Sequence, residues 1–331
     1  MLAVVPRIQS SARRYPLVLV GLGVLLYSAG PVMLQASGLS GPVFSFWRLW
    51  FGVAVLSVAT GVQHLMGVAW PTRDQWRWAA IAGVAFGVHQ LLFFSAIRIT
   101  TVVDVALMNA LAPIVTAIGA LWMFGERPGR RFWSWAAVAI VGAELLAVAA
   151  SNAPSGDPVG MSMAIANVVF FAAFFLVSKK GRDHLPVVPF LFGTMLVAAL
   201  VVTGFVGAIG ADVGAVTPTA LLLAAGVAVG PGAVGHFVMT WPLRYVPANI
   251  PPVLRLAQPV LSGLLAWWLL GEALSSRHLL AGVLVVVGAA GTVLSRDGRA
   301  LRAHAADAGM PADAGIPADA AASRHAATRS V

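Results

Sequence analysis

Stretches of roughly 20 apolar residues, separated by short polar or charged gaps, recur along almost the whole chain. A helix rises about 1.5 Å per residue, so each stretch can cross about 30 Å of hydrocarbon. The pattern predicts ten transmembrane helices, near 17–36, 44–66, 77–97, 101–124, 132–150, 159–178, 186–209, 219–241, 249–270 and 277–295. Breakers and charges fill the gaps, as in SGLSGP, PTRDQ, GERPGRR, SNAPSGDP, KKGRDHLP and GADVGAVTP. The third and fourth stretches nearly touch at Arg98–Thr101. The apolar run 17–36 is longer than the roughly 7–15 residues of a signal-peptide core, so it reads as the first span.

Composition fits this pattern. Of 331 residues 59% are hydrophobic and 10% charged, and mean hydropathy is +0.87. Soluble domains carry about 25% charged residues. The net charge of +9 does not indicate nucleic acid, because the charges sit in the gaps rather than along one face. There is no cysteine, which excludes disulfides, thiolate metal sites and thiol nucleophiles.

Charge also orients the bundle. With a cytoplasmic N-terminus, the cytoplasmic segments hold Arg7, Arg13, Arg14, Arg73, Arg77, Arg127, Arg130, Arg131, Lys179, Lys180, Arg182, Arg244, Arg296, Arg299 and Arg302. The opposite side holds Arg98 and Arg277. This positive-inside bias supports ten spans with both termini cytoplasmic, and a cell (inner or plasma) membrane location. The stretch 296–331 is rich in Ala, Pro and Asp and reads as a disordered cytoplasmic tail.

A shift of 146 residues lays IRITTVVDVALMNALAPIVTAIGALWMFGERPGRR on LRYVPANIPPVLRLAQPVLSGLLAWWLLGEALSSR without gaps. Pro113 falls on Pro259, Gly125 on Gly271 and Glu126 on Glu272, and Val141-Gly142-Ala143 falls on Val287-Gly288-Ala289. The shift maps span four onto span nine. The expected fold is therefore an all-α integral membrane protein built from two inverted five-helix repeats, 17–150 and 151–295, preceded by a cytoplasmic N-terminus over 1–16. Inverted repeats are the architecture of alternating access, with substrate near the membrane midplane at the repeat interface.

The two Pro…Gly-Glu segments, each followed by a Gly-Ala pair, resemble the EamA-type branch of the drug/metabolite transporter superfamily. The Arg-Leu-Trp-Phe run at Arg48 resembles that family's second span. The resemblance covers about 17–295. It departs at Leu26–Pro31, where the family's Trp-Gly pattern is missing, and at Pro251, Pro252 and Arg255. It implies export or exchange of amino acids, other metabolites or toxic compounds. It also implies that spans one to four and six to nine enclose the cavity while spans five and ten pack outside.

Charged and strongly polar groups deep in a span are costly, so each is a functional candidate. Arg255 lies about two turns into span nine, with Gln258 on the same face, in the proline-rich NIPPVLRLAQP. Its guanidinium suits a carboxylate or phosphate, against a salt bridge to Glu144 or snorkelling. His89 and Gln90 sit in mid-span three, and Gln90 falls on His236 of span eight under the shift. Both are candidates for the cavity, against the reading that adjacent side chains point about 100° apart and at most one of His89 and Gln90 lines it comfortably. Arg48 is one turn into span two, where it binds or snorkels. Asn109 and Asn167 are read as ligands or interhelical hydrogen-bond partners. Glu144 and His236 are the groups weighed for proton coupling. Asp104 suits a helix N-terminus. The glycine-rich run Gly226–Gly235 predicts a kink in span eight.

No P-loop, metalloprotease or serine-hydrolase pattern is present, so no catalytic residue, cofactor or metal is assigned. The function expected is secondary transport of a small-molecule solute, with the lipid bilayer as its environment and no nucleic-acid partner; a homodimer is left open. The alternatives are an intramembrane enzyme and a non-transporting receptor or scaffold.

Overall fold

The computed structural model describes residues 16–100, 105, 108–149, 157–244, 246–248, 250–261, 264 and 276–294. Among these the chain is helical and contains no strand. In order, the helices are α1 (Pro16–Tyr27), α2 (Gly30–Ser37), α3 (Gly41–Leu65), α4 (Arg73–Ile99), α5 (Ala112–Phe124), α6 (Arg130–Ala149), α7 (Pro158–Arg182), α8 (Val187–Ala208) and α9 (Pro218–Val227). A π-helical segment (Ala228–Gly235) then leads into α10 (His236–Thr240) and a 3-10 turn (Trp241–Arg244). The last elements are α11 (Ile250–Leu254), a second 3-10 turn (Arg255–Ala257) and α12 (Ser276–Leu294). Six helical stretches are long and apolar enough to cross a membrane: Leu17–Ser37, Gly41–Leu65, Arg73–Ile99, Pro158–Arg182, Val187–Ala208 and Pro218–Leu243. Gly271, Glu272 and Asp104 lie outside the described residues.

Local chemistry sets the ends. Thr72 and Gln75 form a capping box at the start of α4, which satisfies two backbone donors at once. Asp157 caps α7 by accepting from the amides of Val159 and Gly160, with Pro158 in the first turn, where its missing N–H costs nothing. Gly125 ends α5 with φ of 66°, a left-handed cap that other residues adopt at a cost.

The expected first span is not one regular helix. It turns at Ser28–Ala29 and restarts with Pro31 in the first turn of α2. The expected kink in span eight is a π segment around Pro231. Proline has no amide proton and its ring crowds the carbonyl four residues back; a π register accommodates both. The predicted distortion of span nine appears as one short helix, α11, passing straight into a 3-10 turn.

Packing follows small residues. α4 lies against both α7 and α8, α3 against α8 and the π segment, and α1 against the π segment and α10. α6 packs along α12. At that crossing a Cβ on Gly142 would stand 2.6 Å from the backbone nitrogen of Val285, and one on Gly288 would meet the backbone of Ala139. The core holds Leu49, Phe86, Phe174, Phe190, Met195 and Met239, all fully buried. Leu65, Trp122 and Leu222 face outward and are largely exposed, as lipid-facing residues are.

The connections sort into two ends. At one, Arg98 donates to the carbonyl of Leu39 (2.6 Å), Trp47 donates to that of Val213 (3.0 Å), and Thr100 lies beside Gly160. At the other, Gln75 donates to the carbonyl of His184 (2.9 Å), and Trp78 stacks on the His184 ring. Glu126 and Lys179 also meet there (2.6 Å).

Candidate functional site

Polar side chains that the apolar spans cannot leave facing lipid converge on one small, partly open cavity of about 60 Å³. α1 contributes Tyr27, α3 contributes Arg48, and α4 contributes His89 and Gln90. The segment after the π turn contributes His236, and the stretch beginning at the second 3-10 turn contributes Arg255 and Gln258. Phe93, Phe94 and Phe171 supply apolar wall. Six of the eight substrate-site candidates read from the sequence therefore line a single space.

Hydrogen bonds fix them. Arg48 donates from Nη1 to the side-chain Oε1 of Gln90. The phenol of Tyr27 pairs with His236 Nδ1 at 2.7 Å, and the rings sit 5.0 Å apart. Gln258 donates to the Tyr27 carbonyl at 3.2 Å, while Arg255 Nη2 donates to Gln258 Oε1 at 3.4 Å. The break after Tyr27 is tied to the same stretch, because Ser28 Oγ donates to the Gln258 carbonyl at 3.3 Å. Arg255 lies over the Phe171 ring, 4.0 Å from its centroid, a cation–π arrangement.

The two asparagines stand one layer back. His89 Nδ1 bonds to Asn167 Oδ1, and Asn167 Nδ2 donates to Asn109 Oδ1 at 2.9 Å. They orient His89 rather than line the cavity. Both His89 and Gln90 face the cavity, although they are adjacent in sequence. The cavity wraps this turn of α4, so His89 is turned to α7 and Gln90 to α3, and the 100° between them falls within its arc.

Glu144 is half-buried on α6 and does not line the cavity. The hydrogen bond of Arg255 goes to Gln258 instead of to a carboxylate. Among the described residues no three His, Asp or Glu side chains gather as a metal set.

Tyr27 and Phe171 were not singled out from the sequence as site residues. Tyr27 falls in the middle of the 17–36 stretch, where a tyrosine is mostly an apolar ring, and the fold alone shows that its hydroxyl meets His236. Glu126, read as a repeat motif, makes a partner as well. Its carboxylate takes Lys179 Nζ on one oxygen (2.6 Å) and the Ala248 amide on the other (3.1 Å), and Lys179 also donates to the Val246 carbonyl (3.0 Å). This nearly buried pair, with side chains 8% and 15% exposed, joins the last turn of α7 to two connections at one end of the molecule.

A family model described as the EamA-like transporter family matches residues 15–148 and again 158–294. The chain is 26% identical over 250 residues to YwfM of Bacillus subtilis (strain 168), named an uncharacterized transporter, covering 74% of this chain and 81% of that one. It is 25% identical over 199 residues to an uncharacterized transporter of Archaeoglobus fulgidus, covering 59% and 68%. A solved crystal structure superposes with a TM-score of 0.71 at 21% identity, over 84% of this chain and 96% of the other, a likeness of fold alone.

Proposed function

The chain belongs to the EamA-like transporter family and is a multi-pass membrane transporter rather than an enzyme, and on that premise we propose that it carries a small metabolite across the membrane by alternating access through the Arg48–His236–Arg255 cavity. The observation that carries this reading is the composition of the cavity. Its polar groups come from both the 17–150 and the 151–295 stretches, as a site at a repeat interface requires.

Ten spans in two inverted halves form the frame of the proposal. The family model matches twice, once over each half. The α6–α12 crossing supports the same frame. The 146-residue shift carries Gly142 to 288 and Ala139 to 285, and the structure pairs Gly142 with Val285 and Gly288 with Ala139. Exchange of partners under one shift is what a twofold axis through that crossing produces. The sorting of connections into two ends is consistent with alternate spans running in opposite directions.

The end holding Glu126 and Lys179 also carries Arg73, Arg127, Arg130 and Arg131, which supports placing it in the cytoplasm. There the Glu126–Lys179–Ala248 link serves as a latch that must part when the cavity opens inward. Secondary export or exchange of amino acids or related compounds is the substrate reading, and the inner or plasma membrane the location.

Purified full-length protein in liposomes, tested by counterflow against labelled amino acids and organic acids, checks this. A carrier gives saturable uptake that rises with unlabelled solute inside. Flux that neither saturates nor responds to internal solute removes alternating access.

A further inference from the structure

We infer that the cavity takes an organic anion, with its carboxylate or phosphate group held by Arg48 and Arg255 and its body against Phe93, Phe94 and Phe171. This rests on the cavity being the transport site and goes further by giving the charge of the substrate.

Two guanidiniums share one space inside the membrane, and arginine is not deprotonated in proteins. Among the described residues no carboxylate pairs with either. The described acids are placed elsewhere. Glu126 holds Lys179, Asp183 lies near Lys180, and Asp157 and Asp212 cap backbone amides. Asp74 is exposed in the first turn of α4, and Glu144 sits on α6 outside the cavity. Burying two like charges without a counter-ion is costly, and an incoming anion removes that cost where a cation would add to it.

Hydrogen bonding points the same way. Arg48 is 4% exposed, yet its Nε has no acceptor, and among the described residues its side-chain hydrogen-bond partner is Gln90. Arg255 Nε is likewise buried without an acceptor, and its bond to Gln258 is long, at 3.4 Å. Buried donors left without an acceptor are costly, and these two mark a shortage of acceptors in the cavity. Gln90 and Gln258 have turned their carbonyl oxygens to the arginines, which leaves the supply of further acceptors to the ligand. The π segment passes close to Arg48: a Cβ on Gly232 would lie 3.6 Å from its Nη2. The rings around the guanidiniums favour an anion with an apolar or aromatic body.

Four probes sharing a benzene ring test this on the full-length protein in detergent by titration calorimetry: phenylacetate, phenyl phosphate, phenylacetamide and phenethylammonium. The expected result is that at least one of the two anions binds at least tenfold more tightly than the neutral and cationic probes. Comparing the two anions tells carboxylate from phosphate. Arg48→Gln and Arg255→Gln each weaken that binding tenfold or more, and Arg255→Lys restores part of it. Equal binding of all four probes, binding of neither anion, or anion binding indifferent to both Gln variants overturns the inference. Arginine-dependent anion binding without counterflow in liposomes would leave the anion site standing and remove the carrier. Counterflow of a neutral or cationic solute would do the reverse.

Discussion

Tyr27 and His236, 209 positions apart in sequence, meet at 2.7 Å inside the cavity and join the first helix to the segment just after the π turn. Gly235 makes the approach feasible, because a Cβ there would lie 2.9 Å from the tyrosine ring. Tyr27→Phe deletes the bond and keeps the ring. A hydrogen bond is worth about 0.5–1.5 kcal/mol net, so the apparent KM in a liposome assay should rise roughly 2- to 10-fold with protein yield unchanged. An unaltered KM would show that this contact is not part of the solute site.

The Glu126–Lys179 pair is nearly buried and bonded on every side. Removing one partner of a buried pair costs on the order of 3–5 kcal/mol. Glu126→Gln and Lys179→Met should each lower the melting temperature in detergent and change the balance between inward- and outward-open forms. The exchanged pair Glu126→Lys with Lys179→Glu should recover only part of the stability, because the Ala248 amide then faces an ammonium. Full recovery would contradict the role assigned to the backbone contacts.

Gly142 and Gly288 admit no side chain at the α6–α12 crossing. Gly142→Val and Gly288→Val should each destabilise by about 1–3 kcal/mol, as overpacking does. Both should leave solute KM unchanged in whatever protein folds. Melting curves together with transport kinetics separate the two effects.

Glu144 is outside the cavity, on a helix that packs against α12. Glu144→Gln is expected to leave flux and its pH dependence within twofold of the parent. A lost pH dependence would return this carboxylate to the coupling role weighed for it.

The absence of cysteine makes sidedness simple to measure. Ser40, Ala215, Ala69 and Arg127 are all exposed, the first two at one end and the last two at the other. In intact cells, cysteines at 40 and 215 should react with an impermeant maleimide. Those at 69 and 127 should react only after the membrane is opened. Labelling of 40 and 127 from the same side would contradict the ten-span reading.

Most of the candidate site was legible because a bilayer makes polar residues conspicuous. Arg48, His89, Gln90, His236, Arg255 and Gln258 each interrupt an apolar run, and they meet in one cavity. Tyr27 was hidden because a tyrosine in mid-span is mostly an apolar ring and announces no partner until its hydroxyl is seen against His236. Phe171 was hidden because a phenylalanine in a phenylalanine-rich span carries no signal until a guanidinium lies over it. Lys179 and Glu126 left no trace as a pair, since contact across 53 residues has no spacing rule; each was noticed for a different reason. The Gly-Ala pairs were visible as a pattern, but the backbone each one faces was not.

The π turn makes span length itself a determinant of recognition. Its hydrogen bonds close one residue further along than those of an α-helix, so the chain from His236 onward is phased differently from the chain before Ala228. Deleting a single residue in that stretch, without altering any group that lines the cavity, would swing the imidazole about 100° away from Tyr27. Relatives that lost or gained one residue there would keep every helix and bind something else.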